Sequence, residues 1–63
     1  MKVSELIKIL KKNSCRLIEH GKEHDKWYSE TTGKTFMVPR HPGKDIPKGT
    51  LGRILKDAGI SRR

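Results

Sequence analysis

The chain has 63 residues, 15 Lys+Arg against 7 Asp+Glu, a formal charge of +8 and a pI near 10.1. That length allows one domain, residues 1–63, with a thin core, because a chain of about 60 residues buries only roughly 60% of its unfolded surface. The charge points to phosphate-rich partners. The lone Cys15 excludes an intramolecular disulfide and suits a cytoplasmic protein, and no apolar run reads as a membrane span or a signal peptide.

Val3, Leu6, Ile7 and Leu10 fall at i, i+3, i+4, i+7 and predict an amphipathic first helix. Ser4 is its expected cap, Glu5 suits the positive end of the dipole, and Lys11 and Lys12 suit the negative end. Asn13 and Ser14 should stop it. A cationic helix of this kind can also lie on a membrane surface, but the rest of the chain has the pattern of a folded domain.

Three short strands follow. Cys15 to Glu19 is the first, ending in a turn around His20, Gly21 and Lys22. His24 to Glu30 is the second, and Thr32, Gly33 and Lys34 turn into the third, Thr35 to Pro39. Side chains alternate along a strand, so His24, Lys26 and Tyr28 share one face and Asp25, Trp27 and Ser29 the other. The helix needs an apolar partner surface, and Trp27, Phe36 and Val38 make the best one. This choice turns His24 and Lys26 to the open face.

Arg40 to Lys48 reads as a loop held by Pro42, Gly43 and Pro47. Thr50 should then cap a second helix, with Leu51, Ile54, Leu55 and Ala58 on its apolar stripe. Gly59 should end it, and Ile60 should fold back on its last turn. The expected class is α+β, in the order α-β-β-β-α, with two helices on one face of a small antiparallel three-stranded sheet. Double-stranded RNA-binding domains have this architecture and read helical shape through phosphates and 2′-hydroxyls.

Cys15, His20, His24 and His41 could in principle supply four zinc ligands. Structural zinc sites use two tight ligand pairs, and here there is one thiol, so no metal or other cofactor is expected. Cys15 is instead a small buried residue at a strand start. His24 follows the Gly21-Lys22-Glu23 turn on an open face amid cations. An imidazole titrates at about 6.5 and both takes and gives protons near neutrality. RNA carries its own nucleophile, the 2′-hydroxyl, so one base with cationic support for the phosphorane is a sufficient minimum. Lys22, Lys26, Arg40, Lys44 and Lys48 are the expected phosphate contacts. Tyr28, on the face of His24, is the candidate for base stacking, with Trp27 assigned to the core.

The combined pattern resembles the HicA family of toxin ribonucleases over about nine-tenths of the chain. The matching pieces are Gly21 ahead of His24, Trp27 three residues later, Val38-Pro39-Arg40-His41, and Gly49-Thr50 followed by Ile54-Leu55 and Ala58-Gly59-Ile60. The resemblance implies a double-stranded RNA-binding-like fold, metal-independent mRNA cleavage, and a HicB-type antitoxin as partner. It assigns catalysis to His24. His41 matches the family's second histidine and is taken as an RNA contact. Many members have Gly-Ser immediately before the catalytic histidine, where this chain has Lys22 and Glu23. A carboxylate there bears on both the protonation of His24 and the approach of phosphate. The expected function is thus a toxin endoribonuclease, and the alternative is a non-catalytic RNA-binding module using the same face.

Overall fold

The computed structural model describes residues 1–60. The chain runs α1 (Val3–Lys12), β1 (Cys15–His20), β2 (His24–Ser29), β3 (Thr35–Pro39) and α2 (Lys48–Ala58). The strands form one antiparallel sheet in the order β1-β2-β3, leaving β1 and β3 as its edges. Both helices lie on one face and share a single core. Val3, Leu6 and Leu10 of α1 and Leu51, Ile54, Leu55 and Ala58 of α2 close over Cys15, Trp27, Phe36 and Val38. The architecture is the expected α-β-β-β-α arrangement of a double-stranded RNA-binding-like domain, with the other sheet face uncovered.

The helix starts differ from the sequence reading. α1 begins at Val3, so Ser4 lies inside its first turn rather than capping it. The free N–H groups of that turn are met from far along the chain. Val3 N–H donates to the Lys44 carbonyl at 3.0 Å and Ser4 N–H to the Pro42 carbonyl at 3.1 Å. Glu5 reaches back to accept the Lys2 N–H at 3.0 Å. Backbone carbonyls thus supply what a capping hydroxyl would have supplied. The same contacts pin the 40–48 loop, whose Ile46 is 5% exposed and joins the core. α2 begins at Lys48 behind Pro47, so Thr50 is not its cap either. Its hydroxyl is left on an exposed helical face.

The helix ends follow the sequence. Asn13 Nδ2 donates to the Ile9 carbonyl at 2.8 Å, and Ser14 adopts a left-handed backbone at φ 61 that breaks the helix. At α2, Gly59 has φ 76, its N–H reaches the Lys56 carbonyl, and the Ile60 N–H reaches the Leu55 carbonyl at 2.9 Å. This is a Schellman closure, and Ile60 packs against the core. A Cβ at Gly59 would also lie 2.7 Å from the Thr32 Cγ2.

Strand ends shift by a residue. β1 extends through His20, expected in the turn, and β2 stops at Ser29, leaving Glu30 to the turn. Ser29 is fully buried because it ties the sheet to α2, its Oγ donating to the Ala58 carbonyl at 2.8 Å. The register of β1 on β2 slips between Leu17 and Glu19, which makes Ile18 the extra residue of a β-bulge. Without the slip Glu19 would face Asp25. With it, Glu19 pairs with Lys26 and His20 with Asp25, so each carboxylate meets a cationic or protonatable partner.

Candidate functional site

Directly opposed residues on antiparallel strands share a face. The pairs His24–Pro39, Lys26–Met37 and Tyr28–Thr35 therefore lie on the open side of β2 and β3, and Arg16 and Glu19 extend that side onto β1. Trp27, expected in the core, is 4% exposed on the helix side. His24 is exposed at the first position of β2.

The turn that delivers His24 is fastened at several points. Oδ1 of Asp25, a side chain only 17% exposed, accepts the Gly21 N–H at 3.3 Å and lies 3.2 Å from His20 Nδ1 and 3.5 Å from Arg40 Nε. Arg40 Nη1 donates to the Gly21 carbonyl at 2.8 Å, and its backbone N–H donates to the Glu23 carbonyl at 3.0 Å. One arginine at the end of β3 thus closes the β1–β2 turn from both its side chain and its backbone. Gly21 is required there because of space rather than conformation. A Cβ at that position would sit 2.2 Å from the carbonyl oxygen of His24. The glycine lets the chain pass directly against the backbone that carries the imidazole.

His24 opens onto a groove of ≈ 280 Å³ between β3 and α2. Phe36, Met37 and Pro39 line its sheet side, and Thr50, Arg53, Ile54 and Asp57 line its helix side. Among the described residues no hydrogen bond or ion pair engages the His24 ring, whereas His20 is held by Asp25. The groove therefore combines an accessible imidazole, a guanidinium, a hydroxyl and a carboxylate.

None of the other expected contact residues lines this groove. Lys22 is exposed on the turn before His24, and Lys26 lies on the open face with its Nζ 3.8 Å from Glu19. Tyr28 sits on the same face, but the Arg16 guanidinium lies over its ring at 5.4 Å from the centroid. Arg40 is partly committed to the turn. His41 and Lys44 are exposed along the loop leading to α2, whereas Lys48, expected at the end of that loop, is the exposed first residue of the helix. Thr50 and Arg53 were not among the expected site residues. Their sequence signal is the i, i+3, i+7 spacing of Thr50, Arg53 and Asp57 on the flank of the α2 apolar stripe.

Cys15 is buried beneath the sheet, and burial pushes its thiol up from the ordinary value of 9.0 while a Ser29 hydrogen bond acts the other way. It lies on the helix side and His24 on the open side, so the two do not converge on one point. Among the described residues no group of three or more His, Cys, Asp or Glu side chains is placed to hold a metal ion. Nor is any described helix long and apolar enough to cross a membrane.

Comparison with protein families matches residues 3–60 to the HicA toxin of bacterial toxin-antitoxin systems. The chain belongs to the HicA toxin family. Neither curated proteins nor solved structures gave a match. The matched span takes in both helices, all three strands and every groove residue named above. As a HicA toxin the chain is one component of a toxin–antitoxin system, and an antitoxin is its implied partner.

Proposed function

We propose that this HicA toxin is a metal-independent endoribonuclease that cleaves mRNA, with His24 as its proton-transfer residue and a HicB-type protein as its antitoxin. The observation that supports this most is the exposed imidazole of His24 at the mouth of a groove that also holds Arg53 and Thr50. In the reaction the 2′-hydroxyl of the substrate loses its proton to a base, and its oxygen attacks the adjacent phosphorus. The P–O5′ bond breaks, the 5′-oxygen takes up a proton, and a 2′,3′-cyclic phosphate remains. An imidazole at His24 can serve either proton-transfer step. The developing phosphorane charge needs fixed cations close by, because preorganised charge at that point stabilises the transition state more than the ground state.

Lys22, Lys26, Arg40, His41, Lys44 and Lys48 are the residues assigned to phosphate along the open face and the loop. Their exposure and the net charge of +8 support the assignment. Tyr28 offers a ring for stacking on the same face as His24, with Arg16 already against it. Arg16 on the open face of β1 joins the contact set on the same grounds.

The test is His24→Ala. The side chain is exposed and, among the described residues, makes no hydrogen bond or ion pair, so stability should change by no more than about 0.5 kcal/mol. Cleavage should fall by roughly 10²–10⁴. Full growth arrest by a folded His24→Ala toxin would remove His24 from catalysis.

A further inference from the structure

We infer that Arg53 and Thr50 on α2 form a phosphodiester-binding subsite, over which the RNA backbone passes from the His24 groove towards Gly49. The ligand class rests on the ribonuclease reading above; the site itself rests on three features of α2.

The first is shape. Beside the His24 groove lies a second cleft of ≈ 340 Å³, lined by Gly49, Thr50 and Arg53. Thr50 and Arg53 line both depressions. A chain passing from one cleft to the other meets these two side chains.

The second is charge. Arg16 pairs with Glu30, Arg40 with Asp25, Lys26 with Glu19 and Lys2 with Asp45. Among the described residues no ion pair engages Arg53, although it lines the groove of His24. A guanidinium presents a planar fork that matches two phosphate oxygens, and a neighbouring hydroxyl can donate to a third. Asp57, one turn further on, also faces the groove. Its carboxylate disfavours phosphate at that end and so places the diester at the Thr50 end.

The third is the pair of glycines. Gly49 and Gly52 stand in α2 without a left-handed backbone, and a Cβ at either would meet nothing within 4 Å. Glycine weakens a helix relative to alanine. Packing within the chain explains neither residue. Gly49 lies one turn before Arg53, on the same helical face, and a bare backbone there lets a bulky anionic chain approach closely.

The experiment uses a single-stranded RNA with 2′-methoxy groups, which binds but lacks the nucleophile, and follows affinity across a salt series. Each phosphate neutralised contributes about 0.7 to the slope of log K against log salt for a single strand. Arg53→Gln should make that slope shallower by about 0.7, and Arg53→Lys should keep it. On cleavable RNA, Arg53→Gln should lower kcat/KM on the order of 10²-fold, and lysine should recover part of the loss. Gly49→Ala should raise the melting temperature and yet weaken RNA binding several-fold. An unchanged salt slope in Arg53→Gln, or a stabilised Gly49→Ala that binds as the wild type, would overturn the subsite. A wild type that never cuts RNA, with the slope still altered in Arg53→Gln, would end the nuclease reading and leave the subsite standing.

Discussion

Gly21→Ala is a single-methyl change whose consequence can be worked from geometry. The added Cβ would meet the His24 carbonyl oxygen at 2.2 Å and the His24 carbonyl carbon at 3.4 Å, so the oxygen must retreat by about 1.2 Å to reach ordinary contact. Both partners are backbone, and no side-chain rotation relieves the overlap. The turn is also held by Asp25 at the Gly21 N–H and by Arg40 at the Gly21 carbonyl, so it cannot swing away without breaking those bonds. Forced overlap of this kind costs about 1–3 kcal/mol. In a domain this small that lowers the melting temperature by at least about 4 °C, since each kcal/mol is worth about 4–8 °C. The carbonyl that moves belongs to the residue assigned to catalysis, and a displacement of about 1 Å at a reacting group can lower the rate 10²-fold. The assay is thermal unfolding by circular dichroism beside cleavage of a short RNA at a temperature where the variant is fully folded. Cleavage should fall much further than the folded fraction. A Gly21→Ala toxin with wild-type melting and wild-type cleavage would refute the reasoning, because the chain would then have room that the backbone denies.

The pH dependence of stability should carry a signature of Cys15. Burial raises its thiol in the folded chain above the ordinary 9.0, so this contribution is fully present below about pH 9 and is lost as pH rises through the folded value. As pH rises above about 9 the wild type should lose more melting temperature than Cys15→Ala, whereas parallel profiles would show that the thiol does not titrate on unfolding. The antitoxin should bind faster at low salt, since screening shortens to about 8 Å at physiological ionic strength, while apolar contacts keep most of the affinity. Hydrogen exchange in the complex should slow across residues 24–30 and 40–48. A neutralised toxin with no added protection in either segment would make the inhibition allosteric.

Where a feature depended on neighbours in sequence, the chain declared it. The apolar spacing of Val3, Leu6 and Leu10, the alternation around Trp27, and the Gly59-Ile60 helix end each follow from local rules that the packing then respects. Placing Trp27 in the core was enough to put His24 on the open face, because a strand offers only two sides. The misread features are those settled by distant parts of the chain. Ser4 and Thr50 have the chemistry of caps, but carbonyls some forty residues away occupy the first turn of α1, and Pro47 opens α2. Ile46 is the loop residue it was expected to be, but its burial was not legible, because it depends on the loop bonding to Met1 and to the first turn of α1. The bulge at Ile18 left no mark in composition, and it decides which partners His20 and Glu19 meet. Arg40 shows the same limit at the site. Its charge marks it as a candidate phosphate contact, but its hold on Gly21, 19 residues away, was not legible. Arg53 reaches the groove only because α2 packs over β3.

If His24 and the substrate's own 2′-hydroxyl carry out the cleavage without a metal, the chemical end left on RNA cut by purified toxin in excess chelator records it. The RNA should carry 2′,3′-cyclic phosphate ends, undiminished by the chelator, absent with His24→Ala, and absent when the cut site carries 2′-methoxy. Cleavage of the 2′-methoxy substrate or of DNA, or an activity abolished by the chelator and restored by a divalent ion, would contradict it.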